Sequence, residues 1–78
     1  MTQQEIFEGL KEVITTVKPK LDLSAATLDS NLVRDLGMDS LSMLLVSLAT
    51  EQKFGMRFDG KEIFNTVGDV VKCIESKI

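Results

Sequence analysis

The chain has 78 residues, 44% of them hydrophobic, with a formal net charge of −3 and a pI near 4.8. This length supports one core, read as one domain over residues 1–78, and the acidic balance disfavours nucleic acid, whose phosphates require a basic face. There is no histidine and only one cysteine, which excludes Ser–His and Cys–His catalysis, an internal disulfide and a multi-cysteine metal site.

The N-terminal stretch MTQQEIFEGLKEV carries neither a basic n-region nor a continuous apolar run, so no secretory signal is expected and a cytoplasmic location is. Ile6, Phe7, Leu10, Val13, Ile14 and Val17 recur at helical spacing and form one apolar stripe. Thr2 and Glu5 have capping-box spacing ahead of that stripe. Pro19 ends the helix, because the residue before a proline is pushed out of the α region.

A long connection follows, from Lys18 to Asp39. Segments of this length without structure of their own are uncommon in compact domains and usually carry function. Leu21, Leu23, Leu28, Leu32, Val33 and Leu36 are expected to pin it down, with a short helical turn after Asp29 that directs Leu32, Val33 and Leu36 inward. Gly37 supplies the permissive backbone for a sharp entry into the next element.

A second long helix is predicted from about Ser40 to Phe54, ended by Gly55. Asp59 and Glu62 repeat the capping-box spacing and predict a short third helix through Phe64. Thr66 and Asp69 repeat it again before a last helix with Val67, Val70, Val71, Ile74 and Ile78 on one stripe. No segment alternates like a strand. The expected fold is therefore all-α, a small bundle of three main helices plus one short one. Cys73 falls within the last helix's pattern and reads as a small, half-buried hydrophobe.

The chemistry concentrates in Asp35-Leu36-Gly37-Met38-Asp39-Ser40-Leu41. A serine at a helix N-terminus faces unpaired amides and the positive end of the dipole, a position that favours a phosphate ester on its hydroxyl. Asp39 beside it is a capping residue or an aid to a metal ion in a modifying enzyme. Asp35 and Asp39 are more simply a solvated charge and a cap than a catalytic pair.

The string DLGMDSL resembles the signature of acyl carrier proteins, and the resemblance extends over nearly the whole chain. It implies that Ser40 receives a 4′-phosphopantetheine arm from coenzyme A, whose thiol then holds acyl groups as thioesters. Ser40 is preferred to Ser42, which lies about 200° around the helix. The implied protein is a monomeric carrier without catalysis of its own, serving a phosphopantetheinyl transferase and fatty-acid or polyketide-type enzymes. An aminoacyl cargo is the less favoured alternative. A helical interaction domain without cofactor is the competing class, separated from the carrier by covalent modification at Ser40.

The second helix departs from the acidic docking helix of many fatty-acid carriers: SLSMLLVSLATEQKF holds only Glu51 and Lys53 as charges. Periodicity alone would bury Leu41, Leu44, Leu45 and Leu48. The family register instead buries Met43, Val46, Ser47, Thr50 and Phe54, leaving those leucines outside beside Ser40. The second register is the expected one, since Ser40 must face solvent to be modified. It implies a specialised carrier whose partners dock by apolar contact.

Overall fold

The computed structural model describes residues Met1–Ile78. Three α-helices form: α1 (Gln3–Val17), α2 (Ser40–Phe54) and α3 (Val67–Lys77). Helix α1 packs against both of the others. Its stripe delivers Ile6, Leu10, Val13 and Ile14 to the buried core, with Phe7 and Val17 half-buried at the edges. Val67, Val70, Val71 and Ile74 meet them from α3, whereas Ile78 lies past the last turn and is exposed, contrary to its place in the stripe.

The helix starts form as the spacing predicts. Thr2 Oγ1 accepts from the Glu5 amide at 3.2 Å, and Glu5 Oε1 accepts from the Thr2 amide at 2.9 Å. Thr66 and Asp69 make the same reciprocal pair at α3. Helix α1 stops at Val17, one residue short of the Lys18–Pro19 pair. Gly55 ends α2 with a φ of 64°, a left-handed conformation that costs glycine little.

The predicted short helix at 59–64 does not form; residues 56–65 run as irregular chain. Half of the predicted capping box is present, because Glu62 accepts from the Asp59 amide (2.7 Å) and the Gly60 amide (2.9 Å). The other half is missing: the Asp59 carboxylate pairs with Lys77 at 3.1 Å. Gly60 also adopts a φ of +82°, which a right-handed helix cannot accommodate. The segment instead inserts Met56 into the core and packs Phe58 and Phe64 edge to face, 5.4 Å apart, against it.

The long connection is pinned as expected by Leu32 and Leu36, both buried, with Leu21 and Leu23 partly so. Val33 is a correction. It is 63% exposed, because the turn over residues 32–36 aims only its neighbours Leu32 and Leu36 at the core. A seam of backbone hydrogen bonds fastens this connection to the start of α3: Leu32 N–H to Asn65 O (2.9 Å), Val67 N–H to Ser30 O (3.0 Å) and Gly68 N–H to Leu28 O (2.8 Å).

Candidate functional site

Each residue of the Asp35–Leu41 string has a separate mechanical role. Asn31 opens the tight turn by accepting from the Val33 and Arg34 amides at 3.0 and 2.7 Å. Asp35 closes it by accepting from the Asn31 amide at 2.7 Å, so this carboxylate is a structural ligand of the turn and more than a solvated charge. Leu36 is buried, Gly37 takes a φ of 65°, and Met38 re-enters the core with its amide bonded to Leu32 O at 3.0 Å. The chain therefore reverses sharply between two buried side chains and emerges at Asp39 in extended conformation.

Asp39, not Ser40, is the cap of α2. Its Oδ1 accepts from the Ser42 amide at 2.8 Å. Hydrogen bonding from Ser42, its amide first, holds this carboxyl below its ordinary range, with Lys18 a smaller influence in the same direction. Because Asp39 takes the capping role, the Ser40 hydroxyl is left without a hydrogen-bond partner and exposed at the first position of the helix. The opening amides of a helix have no partner within it, so a phosphate ester on this oxygen would sit at the positive end of a 15-residue dipole. Ser42, by contrast, is half-buried.

Lys18 was not legible as part of this site. Its Nζ donates to Gly37 O at 3.0 Å, bracing the reversal from the end of α1. No local signal in the sequence pairs two residues nineteen apart. The Asn31–Asp35 clasp did leave one: two turn-forming side chains flanking a short apolar stretch.

The face of α2 beside Ser40 is apolar. Leu41, Leu44, Leu45 and Leu48 are 64%, 54%, 44% and 53% exposed, while Val46 and Thr50 are buried and Met43, Ser47 and Phe54 are half-buried. The register that places the leucines outside is the one present. Both charges of the helix are already engaged. Glu51 accepts from the Phe58 amide at 2.8 Å, and Lys53 pairs with Glu12 of α1 at 2.9 Å. Leu45 and Leu48 continue into a shallow depression reaching Met56 and Arg57. Cys73 is half-buried, and burial and the Glu62 carboxylate push its thiol up, away from thiolate chemistry.

No helix is long and apolar enough to cross a membrane. Residues 11–74 match the family model of the phosphopantetheine attachment site. The chain is 40% identical over 76 residues to the meromycolate extension acyl carrier protein of Mycolicibacterium smegmatis, covering 95% of this chain and 76% of that one. It is 35% identical over 79 residues to the acyl carrier protein of Thermotoga maritima, covering 99% and 96%. The acyl carrier protein of Coprothermobacter proteolyticus matches at 35% over 80 residues, covering 100% and 96%. The chain belongs to the acyl carrier protein family, a family of phosphopantetheine-bearing carriers and not of catalysts.

Proposed function

We propose that Ser40 is the attachment point of the 4′-phosphopantetheine arm and that residues 1–78 act as one carrier domain for acyl groups. The observation that carries this is the division of labour at the start of α2: Asp39 caps the helix, so the Ser40 hydroxyl is exposed and unbonded. The surroundings fit a phosphodiester, with an exposed oxygen, a helix N-terminus and no carboxylate oxygen bonded to the serine itself. When bound, the arm supplies a terminal thiol that holds the acyl group as a thioester. The chain's own part is to hold the linkage at the tip of a rigid helix. A tethered cargo then reaches successive enzymes at high effective concentration.

The partners of this reading are a phosphopantetheinyl transferase, which makes the chain its substrate, and acyl-loading and acyl-processing enzymes in the cytoplasm. We assign their docking to Leu41, Leu44, Leu45 and Leu48, next to the serine. With Glu51 and Lys53 both tied to other parts of the chain, this surface offers mainly apolar area, with the exposed Arg57 at its edge. A specialised carrier with dedicated enzymes follows. The similarity to relatives named for meromycolate extension supports it, as they too are named for one particular pathway step.

The test is intact mass after incubation with coenzyme A, magnesium and a broad-specificity phosphopantetheinyl transferase. A gain of one phosphopantetheine that disappears in Ser40→Ala supports the assignment. A gain that persists in Ser40→Ala moves the site elsewhere, and no gain in a folded protein leaves the helical interaction domain as the better reading.

A further inference from the structure

Among the charges on and around α2, one has nothing to pair with. From Leu36 to Phe58 the charged residues are Asp39, Glu51, Lys53 and Arg57. Asp39 caps the helix, Glu51 accepts from the Phe58 amide and Lys53 pairs with Glu12. Arg57 is exposed, and the protein's ion pairs all use lysines instead. Its guanidinium donates no hydrogen bond within the chain.

Elsewhere on the surface a lone arginine would be an ordinary solvated charge. Here its place matters. Arg57 stands on the rim of an open depression of about 1010 Å³, lined on its apolar side by Val17, Leu45, Leu48, Ala49 and Met56. Leu45 and Leu48 belong both to this depression and to the leucine face of α2, so the two surfaces are continuous. A partner that covers those leucines also draws the guanidinium out of water. Taking a charge out of water without a counter-charge is costly, and the planar fork of arginine matches a carboxylate with two parallel hydrogen bonds. Glu51 does not supply that carboxylate. It shares the rim, but the Phe58 amide holds it and it forms no ion pair with Arg57.

We propose that the enzymes docking on α2 present an apolar segment with a carboxylate set against Arg57. The carrier is then the positive side of this contact and the partner the negative side, the reverse of an acidic helix meeting a basic patch. This rests on the assignment of docking to the leucine face. The reversal gives selectivity, because a basic docking patch would meet repulsion at Arg57 and find no free acid on the helix. An anionic membrane is the poorer occupant, since the chain carries a net charge of −3 and a single cation near a lipid surface attracts it only weakly.

The experiment titrates the isotope-labelled protein with synthetic helical peptides that share one stripe of leucines and differ at a single flanking position, Glu, Gln or Lys. Amide shifts in NMR spectra give both the site and the Kd. The Glu peptide is expected to bind about fivefold more tightly than the Lys peptide, the size of a favourable ion pair at a partly exposed surface, with the Gln peptide between them. The net negative charge of the protein works against this order, so the preference reports the local pair. Arg57→Gln should level the affinities, Arg57→Glu should invert them, and Arg57→Lys should keep only part of the gap. High salt should narrow the gap while leaving the apolar binding in place. Absence of shifts at Leu44, Leu45 and Leu48 with every peptide would overturn the leucine-face assignment and this proposal with it. Shifts there with equal Kd for the Glu and Lys peptides, or a preference that survives in Arg57→Gln, would overturn the charge pairing alone. Tighter binding to phosphatidylglycerol vesicles than to the Glu peptide would also overturn it, in favour of a lipid surface.

Discussion

Alanine in place of glycine inside a helix normally stabilises, by up to about 1 kcal/mol. Gly68 in α3 should do the opposite. A Cβ there would lie 2.9 Å from the carbonyl oxygen of Leu28, and that same oxygen accepts the Gly68 amide at 2.8 Å. Ordinary contact begins at 3.4 Å, so the Leu28 peptide must retreat by about half an ångström. Such a retreat stretches the hydrogen bond beyond the usual range for N–H···O. Losing it costs about 0.5–1.5 kcal/mol, and relieving a forced contact against backbone adds about 1–3 kcal/mol. The helical gain is also smaller than usual, because Gly68 sits in the first turn. The expected net loss is about 1 to 4 kcal/mol, a Tm decrease of order 10 °C or more for a domain of this size.

Gly9 in α1 is the control. Its added Cβ would meet Phe54 Cζ at 2.8 Å and Lys53 Cε at 3.2 Å, the far ends of side chains that can move aside. Gly9→Ala should therefore unfold at or above the wild-type temperature, read by circular dichroism on both variants. If Gly68→Ala also unfolds at or above wild type, the seam between residues 28–32 and 65–68 does not hold the long connection in place, and the reasoning fails.

Three other outcomes are expected. Leu45→Glu should leave folding intact, because the side chain is already 44% exposed, yet raise KM for an acyl-processing partner at least several-fold. Burying the exposed half of a leucine contributes roughly 1 kcal/mol, and a buried unpaired carboxylate adds to the loss; unchanged transfer would refute apolar docking. Stability should fall in acid: Glu5, Asp39 and Asp69 are all held below their ordinary range, chiefly by hydrogen bonds from helix-start amides. Their contribution is complete above the unfolded carboxylate pKa near 4 and is lost as pH falls through the lower folded values. In a Tm-against-pH series, Asp69→Asn should show a shallower acid limb than wild type, and parallel limbs would count against this. Asp39→Ala should slow phosphopantetheine transfer to Ser40 more than Asp39→Asn does, because asparagine still caps the helix; equal rates measured by intact mass would separate the cap from the reaction.

Much of this molecule is local enough to be written in neighbouring residues. The apolar stripes of α1 and α3, the reciprocal caps at Thr2–Glu5 and Thr66–Asp69, the left-handed glycines at 37 and 55 and the serine heading α2 each depend on side chains within a few positions. Short-range hydrogen bonding and backbone sterics decide such features, so sequence by itself determined them. Helix α2 is different, because it is hydrophobic on both sides. Its periodicity alone would have buried the four leucines, and the face that packs was chosen by α1 and by the loop that delivers Met38 to the core.

Tertiary structure also decided what local pattern misread. Residues 59–64 have the spacing of a helix start, but Lys77 takes the Asp59 carboxylate from eighteen residues away and Gly60 turns left-handed. Val33 faces solvent because the Asn31–Asp35 clasp fixes the turn around it. The unsatisfied Thr50 hydroxyl exists only because α1, α2 and the 56–65 segment close over it. Each of these outcomes depends on a partner distant in the chain, and contact between distant segments is set by how the whole core packs, which no local window contains.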